Sequence, residues 1–336
     1  VLTNVTFSNN SANEGNGGGM YYENGDAVLT NVTFSNNSAD MGSGGGIYRA
    51  HGDAALTDIV FSDNLADTGG GMFIEYSSAT LTNVTFSDNS SSYGGGMSIQ
   101  HGSPTLANVT FSDNSSSYGG GMIIQDGSPT LTNVTFSDNH ADDHGGGMFS
   151  RGSNSTLIDV TFSGYTADEG YGGGMYNRDS RPTLQDVTFS GNSADKGSGG
   201  GMFNEHSSPT LTDVAFANNT SDEGGGMFIQ YGDVLTLTHV SFSGNTATAN
   251  GGGMFIEMSR PILTDVSFSS NTATVNGGAM FIQYSDVLTL THVSFSDNTA
   301  TANGGAMFNY ANSSPTLTNV TFSHNSAGAS GGAVFS

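Results

Sequence analysis

A Phe residue recurs thirteen times along this 336-residue chain, at intervals of 25 to 27 residues, and an Asn follows three positions later in twelve of the thirteen repeats. Self-similarity at a fixed period of this size is typical of solenoids, in which each repeat packs only on its neighbours. The repeat therefore constrains the fold more than any other feature of the chain. The recurring residues are Phe7, Phe34, Phe61, Phe86, Phe111, Phe136, Phe162, Phe189, Phe216, Phe242, Phe268, Phe295 and Phe322.

Each repeat contains an alternating segment that ends at this Phe. A Leu stands five positions before the Phe in every repeat, and a Val, or Ile59 in one case, stands two positions before it. Val and Phe alternate with Thr or Ser, which is the period-2 pattern of a strand with one buried face. Two residues separate Leu from Val, so the alternation slips there, at residues such as Asn31, Asp58 or His239. We interpret the slip as a corner between two strands.

A third segment begins with Gly-Gly-Gly or Gly-Gly-Ala, followed by Met in eleven repeats and usually by an aromatic residue after that. Strands this short are not stable alone, but they can pair with the equivalent strand of the next repeat, about 4.8 Å away. No segment has the apolar spacing of a helix. We therefore predict an all-β parallel β-helix of 13 rungs, about 26 residues each, with three short strands per rung and a Leu, Val, Phe and Met core.

The composition excludes several classes of function. The formal net charge is −24, with only six Lys and Arg residues, and such a surface repels nucleic-acid phosphates and anionic lipids. The chain has no Cys, which excludes disulfides and thiolate metal sites. No apolar run reaches the ~18 residues that a membrane helix needs. We expect neither nucleic-acid binding nor membrane insertion.

Two motifs carry a resemblance to a known family. Phe34-Ser-Asn-Asn37 with Gly44-Gly-Gly-Ile47, and Phe322-Ser-His-Asn325 with Gly331-Gly-Ala-Val334, resemble the repeat of the polymorphic outer membrane proteins, best known from chlamydial surface adhesins. The resemblance extends over the whole chain and implies a right-handed parallel β-helix, an extracellular or cell-surface location, and adhesive or structural work. The chain departs from that family by using Met where the family prefers Ile, Leu or Val.

The Asn three positions after each Phe forms the first column that could carry chemistry. Asn side chains stacked at a turn can hydrogen-bond to the rungs above and below, and Asn tolerates left-handed backbone angles. We predict a buried structural ladder, interrupted only by Tyr165. Its members are Asn10, Asn37, Asn64, Asn89, Asn114, Asn139, Asn192, Asn219, Asn245, Asn271, Asn298 and Asn325.

A second column is acidic. Carboxylates about 5 Å apart on successive rungs repel one another unless water or a hard cation such as Ca²⁺ lies between them. Both a solvated face and Ca²⁺ binding stay open, and no other cofactor is expected. The candidate Ca²⁺ ligands are Asp142, Asp143, Asp168, Asp195 and Asp222.

Asn-x-Ser/Thr sequons form a third column, and N-glycosylation requires an exposed Asn. In a eukaryotic source we favour glycans at the corner, whereas in a bacterial source the matches reflect composition alone. Asn89, Asn114 and Asn219 also match, but as ladder members they should stay unmodified. The corner candidates are Asn4, Asn31, Asn83, Asn108, Asn133 and Asn319, and further matches are Asn9, Asn36, Asn154, Asn218 and Asn312.

The chain offers little sign of catalysis. A catalytic site should interrupt the repeat at one rung, and the repeat keeps its register throughout. Arg178, Asp179 and Arg181 form the densest basic cluster. The segment from His140 to His144 resembles a metal site, but we interpret it as a solvated loop. We predict a protein that is not an enzyme. The alternative is a carbohydrate-binding or carbohydrate-active β-helix protein of the polysaccharide lyase or glycosidase kind.

The aromatic residue after each Met forms the last column. If Met points into the core, strand alternation places the aromatic ring outside, where a stripe of rings would be an exposed apolar patch for glycan binding or lateral contact. The opposite arrangement, with the ring inside, stays open.

We expect residues 1–336 to form one continuous solenoid without caps, and so to be part of a longer chain or a subunit of a filament. Its partner would then be itself, in head-to-tail or lateral assembly. The sequence thus predicts an extracellular structural or adhesive solenoid, working as a stalk or fibre.

Overall fold

The computed structural model describes residues 1–232 and 234–336, which divide into two compact units, Val1–Thr161 and Phe162–Ser336. Each unit is a parallel β-helix, and the described residues contain strands and turns without any helix. The chain makes about 13 turns, as the repeat predicts. Each turn contributes strands to up to three sheets, which we name the Leu–Phe, Ala and Met sheets.

The Leu–Phe sheet contains the alternating segments. In the first unit its strands are Leu2–Ser8, Val28–Ser35, Ala55–Ser62, Thr80–Ser87, Thr105–Ser112 and Thr130–Ser137. Thr156–Ser163 spans the boundary between the units. In the second unit they are Thr183–Ser190, Thr210–Thr212, Ala215–Ala217, Thr236–Thr238, Ser241–Ser243, Ile262–Thr264, Ser267–Ser269, Thr289–Thr291, Ser294–Ser296, Thr316–Thr318 and Thr321–Ser323. Pairing is parallel and in register, so that Leu lies beside Leu and Phe beside Phe.

The Ala sheet follows the Asn column and was not anticipated as strand. Its strands in the first unit are Ser38–Ser43, Leu65–Thr68, Ser115–Tyr118 and His140–His144. In the second unit they are Thr166–Ala167, Ser193–Ser198, Thr220–Glu223, Thr246–Asn250, Thr272–Ala273, Thr299–Ala300 and Ser326–Ala327. A small inward residue, usually Ala, makes this side of the core, and Ala141, Ala194 and Ala247 are fully buried.

The Met sheet follows the glycines. In the first unit its strands are Met20–Glu23, Ile47–Ala50, Met72–Glu75, Met97–Gln100, Met122–Gln125 and Met148–Arg151. In the second unit they are Met175–Arg178, Met202–Glu205, Met227–Gln230, Met254–Glu257, Met280–Gln283, Met307–Tyr310 and Val334–Phe335. Met and the residue two after it, often Ile, point into the core, as Met254 and Ile256 show by their complete burial.

Left-handed backbone angles turn the chain at four corners in a typical turn. In one turn these are Asn108, Asp113, Gly119 and Asp126, with φ of 56°, 56°, 65° and 53°. Asn, Asp and Gly are the residues that adopt this conformation at least cost. The first corner is the predicted slip between Leu and Val, and it holds Asn, Asp or His in all thirteen turns.

Stacked rings dominate the core. The core Phe rings of the second unit lie 4.7 to 4.9 Å apart between centroids, from Phe162 to Phe322. Those of the first unit lie 4.7 to 5.1 Å apart, from Phe7 to Phe136. This spacing equals the strand spacing of a sheet, so in-register pairing alone determines it.

Candidate functional site

The Asn column forms a continuous hydrogen-bonded ladder within each unit. Nδ2 of Asn245 donates to Oδ1 of Asn271 at 3.0 Å and to the carbonyl oxygen of Phe216 at 2.9 Å. Oδ1 of Asn245 accepts from the backbone N–H of Asn219 at 3.0 Å and from its Nδ2 at 2.9 Å. One side chain thus satisfies two backbone groups of the preceding turn and bonds to the Asn side chain of the following turn, and burying these groups unpaired would be costly.

The same contacts recur along the ladder, with variation at three places. Asn10 is exposed although it donates to Asn37, and Asn325 is half-buried. Tyr165 occupies the ladder position in the turn that opens the second unit, where its ring is buried and its backbone N–H donates to Oδ1 of Asn192 at 3.3 Å. The buried members are Asn37, Asn64, Asn89, Asn114, Asn139, Asn192, Asn219, Asn245, Asn271 and Asn298.

The left-handed residue near the ladder is the one before the Asn, not the Asn itself. Asp113 precedes Asn114 with φ of 56°, and Asn218 precedes Asn219 with the same value. The expectation that the ladder Asn supplies the left-handed corner was therefore misplaced by one residue. The corner residue turns the chain, which leaves the following Asn free to point into the core.

The first corner carries a second, exposed ladder that the sequence analysis did not recognise. In the first unit Nδ2 of Asn108 donates to Oδ1 of Asn83 at 3.1 Å, and Nδ2 of Asn133 donates to Oδ1 of Asn108 at 2.7 Å. Nδ2 of Asn83 donates to Asp58 at 3.0 Å. The restriction to Asn, Asp and His in thirteen turns was the signal that could have revealed it.

In the second unit the same corner alternates acid and imidazole. Nδ1 of His239 lies 3.5 Å from Asp213, and its Nε2 lies 3.8 Å from Asp265. Nδ1 of His292 lies 3.5 Å from the same Asp265. These side chains are roughly half exposed, so their attraction is weak.

The sequons outside the ladder are exposed to solvent, as N-glycosylation requires. All corner candidates are exposed, as are Asn9, Asn36, Asn154, Asn218 and Asn312. Asn89, Asn114 and Asn219 are buried in the ladder. Glycosylation itself stays a prediction.

The structure does not bring the candidate Ca²⁺ ligands together as a metal site. Among residues 1–232 and 234–336, no group of three or more His, Asp or Glu side chains could hold a metal ion. Asp142 instead lies 3.3 Å from Nε2 of His140, and Oδ1 of Asp222 accepts from Thr248 at 2.5 Å. Ser193 donates to Asp195, Asp143 accepts from Tyr118, and Asp168 is exposed.

Asp63, Asp88 and Asp113 form another acidic column, in which the pKa of the central carboxyl is raised. Partial burial raises the pKa of the Asp88 carboxyl, and the carboxylates of Asp113 and Asp63, one turn to either side, raise the pKa further. Like charges at strand spacing thus repel, as the sequence predicted.

The two clusters that the sequence singled out, His140–His144 and the basic residues near Arg178, show no sign of a catalytic site in the contacts described for them. His140–His144 is a strand of the Ala sheet, so its interpretation as loop was wrong. The guanidinium of Arg178 lies 3.7 Å from Asp179 and 3.6 Å from Glu205. These are ordinary surface ion pairs, worth at most about 1 kcal/mol each.

The aromatic column lies outside the core but is not an exposed patch. Eight of its rings have only 2 to 8% of their surface exposed: Phe73, Phe149, Tyr176, Phe203, Phe228, Phe255, Phe281 and Phe308. From Tyr176 to Phe335 neighbouring rings stack at 4.6 to 5.2 Å between centroids. Each ring from Phe203 to Phe308 is covered on both faces by its neighbours, so these rings have no free face on which a sugar could stack. Tyr21 and Phe335, which are 52% and 36% exposed, are the exceptions in the column.

Part of this column in the second unit borders a groove. Phe203 and Phe228 are among the residues that line it, with Glu205 and Glu257 from the Met sheet and Glu223 from the Ala sheet. The hydroxyl of Tyr176 donates to Oε2 of Glu205 at 2.6 Å, and burial with this contact raises the pKa of the Tyr176 phenol. Burial also raises the pKa of the Glu223 carboxyl.

Comparison with known proteins identifies the fold. The family model for the right-handed β-helix region matches residues 70–272 and, overlapping these, 175–335. The repeat of the Chlamydia polymorphic membrane protein matches residues 31–48, which contain the first of the two motifs quoted above, and this confirms the resemblance. No curated protein matches the chain, and no solved structure matches it. Within the described residues, no helix is long and apolar enough to cross a membrane.

Proposed function

Because the chain belongs to the right-handed β-helix family, we propose that it is a structural and adhesive segment of a surface protein, displayed outside the cell as a stalk or fibre. The match to a polymorphic membrane protein repeat supports the surface location. The net charge of −24 supports an exposed position as well, since like-charged surfaces stay soluble and apart.

The observation that carries this proposal is the repetition of one set of contacts in turn after turn. Leu stacks on Leu, Phe on Phe and Asn on Asn, in both units. A β-helix built this way gains stability with every added turn, because each turn satisfies its neighbours. A catalytic protein needs a place where that regularity is interrupted by converging groups, and the repeat offers few such places.

Two further expectations belong to this proposal. The exposed corner sequons are available for glycans in a host that attaches them. Self-association, head-to-tail or lateral, would extend the structural role to a fibre, and sedimentation of the full chain tests it.

Immunolabelling of intact cells from the source organism tests the surface assignment. We expect an antibody raised against the chain to label intact cells, and added protease to remove the label. Labelling that requires permeabilised cells would contradict the proposal. Cells lacking the gene should also attach less well to surfaces, whereas unchanged attachment would remove the adhesive part and leave the structural part.

A further inference from the structure

Asn-Gly dipeptides in this chain carry a chemistry that the proposed function does not use. Their Asn residues are Asn16, Asn24, Asn250, Asn276 and Asn303. In such a dipeptide the backbone nitrogen of Gly can attack the side-chain amide carbon of Asn, because Gly has no side chain to hinder the approach and lets the backbone rotate. The two groups must move together to react, so contacts that fix either group oppose the reaction until the chain opens locally.

The three dipeptides of the second unit are held at both groups. The backbone N–H of each Gly donates to a carbonyl oxygen of the next turn at 3.0 Å. The Asn side chains form a half-buried ladder, in which Nδ2 of Asn276 donates to Oδ1 of Asn250 at 3.2 Å. Nδ2 of Asn303 donates to Oδ1 of Asn276 at 3.0 Å. Attack at any of these sites first requires breaking contacts between turns.

The dipeptide of Asn16 and Gly17 in the first unit is held in the same way. The N–H of Gly17 donates to the carbonyl oxygen of Ser43 at 2.9 Å, and Oδ1 of Asn16 accepts from the backbone N–H of Ser43 at 2.8 Å. Both residues of the dipeptide are half-buried. The next turn therefore fixes the attacking nitrogen and the side-chain amide together.

The dipeptide of Asn24 and Gly25 differs from the other four. Both residues are exposed, and they turn the chain with φ of 59° and 113°. The N–H of Asn24 donates to the carbonyl oxygen of Ala50 at 3.0 Å. Among the residues that the structure describes, no acceptor binds the N–H of Gly25, and no hydrogen bond holds the side-chain amide of Asn24. The two reacting groups are therefore unrestrained in the folded protein.

We propose that Asn24 is a site of spontaneous deamidation in the folded protein, and that the other four dipeptides are protected by the fold. The Gly25 nitrogen forms a bond to Cγ of Asn24, and Nδ2 leaves as ammonia with the proton of the Gly25 N–H. The product is a cyclic succinimide. Water then adds to one of its two carbonyl carbons and breaks that C–N bond, which leaves Asp or isoaspartate at position 24. One water is consumed and one ammonia is released.

Isoaspartate at this corner would disturb a buried charge of the first unit. The Arg49 side chain is 1% exposed, its guanidinium lies 4.8 Å from the ring of Tyr22, and its Nη2 donates to the carbonyl oxygen of Gly25. Its Nε has no partner among the described residues. Isoaspartate inserts one carbon into the backbone before Gly25, and so displaces the carbonyl that Arg49 binds. A buried charge that loses a partner is destabilising, so we expect this corner to loosen.

Peptide mapping of the full chain by mass spectrometry, after incubation in mildly alkaline H₂¹⁸O, tests the proposal. We expect Asn24 to gain a labelled oxygen at least about tenfold faster than the other four Asn residues, because these must first open locally. In denaturant all five should react at similar rates. Asn24→Gln is the control for the peptide assignment, and it should remove the fast reaction alone.

Two results would overturn the assignment of the site. One is a rate at Asn24 that does not exceed the rates at the other four in the folded chain. The other is the same order of rates in denaturant, which would show that sequence instead of the fold protects them. Hydrogen exchange tests the effect on Arg49, and we expect faster exchange at residues 24–25 and 49–50 in the isoaspartate form than in Asn24→Asp. Equal exchange in these two forms would contradict that effect.

Discussion

The side-chain amide of Asn245 donates a 2.9 Å hydrogen bond to the carbonyl oxygen of Phe216, one turn earlier in the β-helix. Equivalent contacts join Asn219 to Phe189 and Asn271 to Phe242. The carbonyl belongs to the Phe that stacks in the core, so the ladder and the ring stack fix the same turns. These two columns are the main reason that the repeat keeps its register.

Replacement of Asn245 by Ala should therefore destabilise the chain. The change leaves the buried N–H of Asn219 and the carbonyl oxygen of Phe216 without their side-chain partner. A buried unsatisfied group costs about 1–3 kcal/mol. Chemical denaturation measures this difference. Ser243→Ala, an outward position in the same turn, is the control and should change stability little. An equal melting temperature for Asn245→Ala and the control would contradict the role of the ladder.

The glycines before Met differ in what they tolerate. A Cβ at Gly225 would meet the carbonyl oxygens of Gly252 and, at 2.5 Å, Thr246, both in the next turn. A Cβ at Gly226 would meet Gly253 at 2.7 Å and the ring of Phe242 at 2.9 Å, yet Ala stands at the equivalent positions 279 and 306. We expect Gly225→Ala to lower the melting temperature markedly and Gly226→Ala to lower it slightly. The reverse order would show that the register of this sheet is wrong.

Stability should depend on pH through Glu223. Burial raises the pKa of this carboxyl, Glu257 and Asp222 raise it further, and the hydrogen bond from Asn250 lowers it. Because the folded-state pKa exceeds the unfolded value of about 4.3, stability falls as pH rises from that value through the folded-state pKa. Glu223→Gln should remove this fall. Thermal melts should show the variant more stable than the wild type near pH 7 and equal to it at low pH. A variant less stable than the wild type near pH 7 would contradict the sign.

Glycan occupancy should follow exposure and spacing. Asn83, Asn108 and Asn133 lie at one corner on successive turns, only about 4.8 Å apart. Neighbouring glycans would crowd one another, so we expect no molecule to carry glycans at all three. Peptide mapping by mass spectrometry after expression in a glycosylating host measures this. Modification of Asn89 or Asn114 instead would show that the corner and ladder assignments are exchanged.

The sequence was sufficient for the fold because every core position repeats. Leu, Val, Phe and Met recur at fixed spacing, and parallel pairing in register is the arrangement that aligns all four columns. The corner at Asn108 was also predictable, since the alternation of apolar residues slips there. The family resemblance was confirmed on the first of the two motifs that carried it.

The surroundings of each column were harder to predict. The sequence did not predict the Ala sheet, because its strands are short and mix Ser, Ala and Asp, a composition typical of loops. Phe228 is buried between the stacked rings of Phe203 and Phe255, at 5.0 and 4.6 Å between centroids, which alternation along one strand does not reveal. The groove is lined by residues from both the Met and Ala sheets, so the sequence did not bring its residues together.

Stacked turns, each held by its neighbours, should make this chain a stalk that resists pulling. Single-molecule force spectroscopy on the full chain, pulled from both termini, tests this structural role most directly. We predict stepwise unfolding, because a solenoid can open one turn at a time. Each step should release one turn or a small multiple of it, and about 26 extended residues span roughly 85–95 Å. Gradual extension at low force, without discrete steps, would contradict the account.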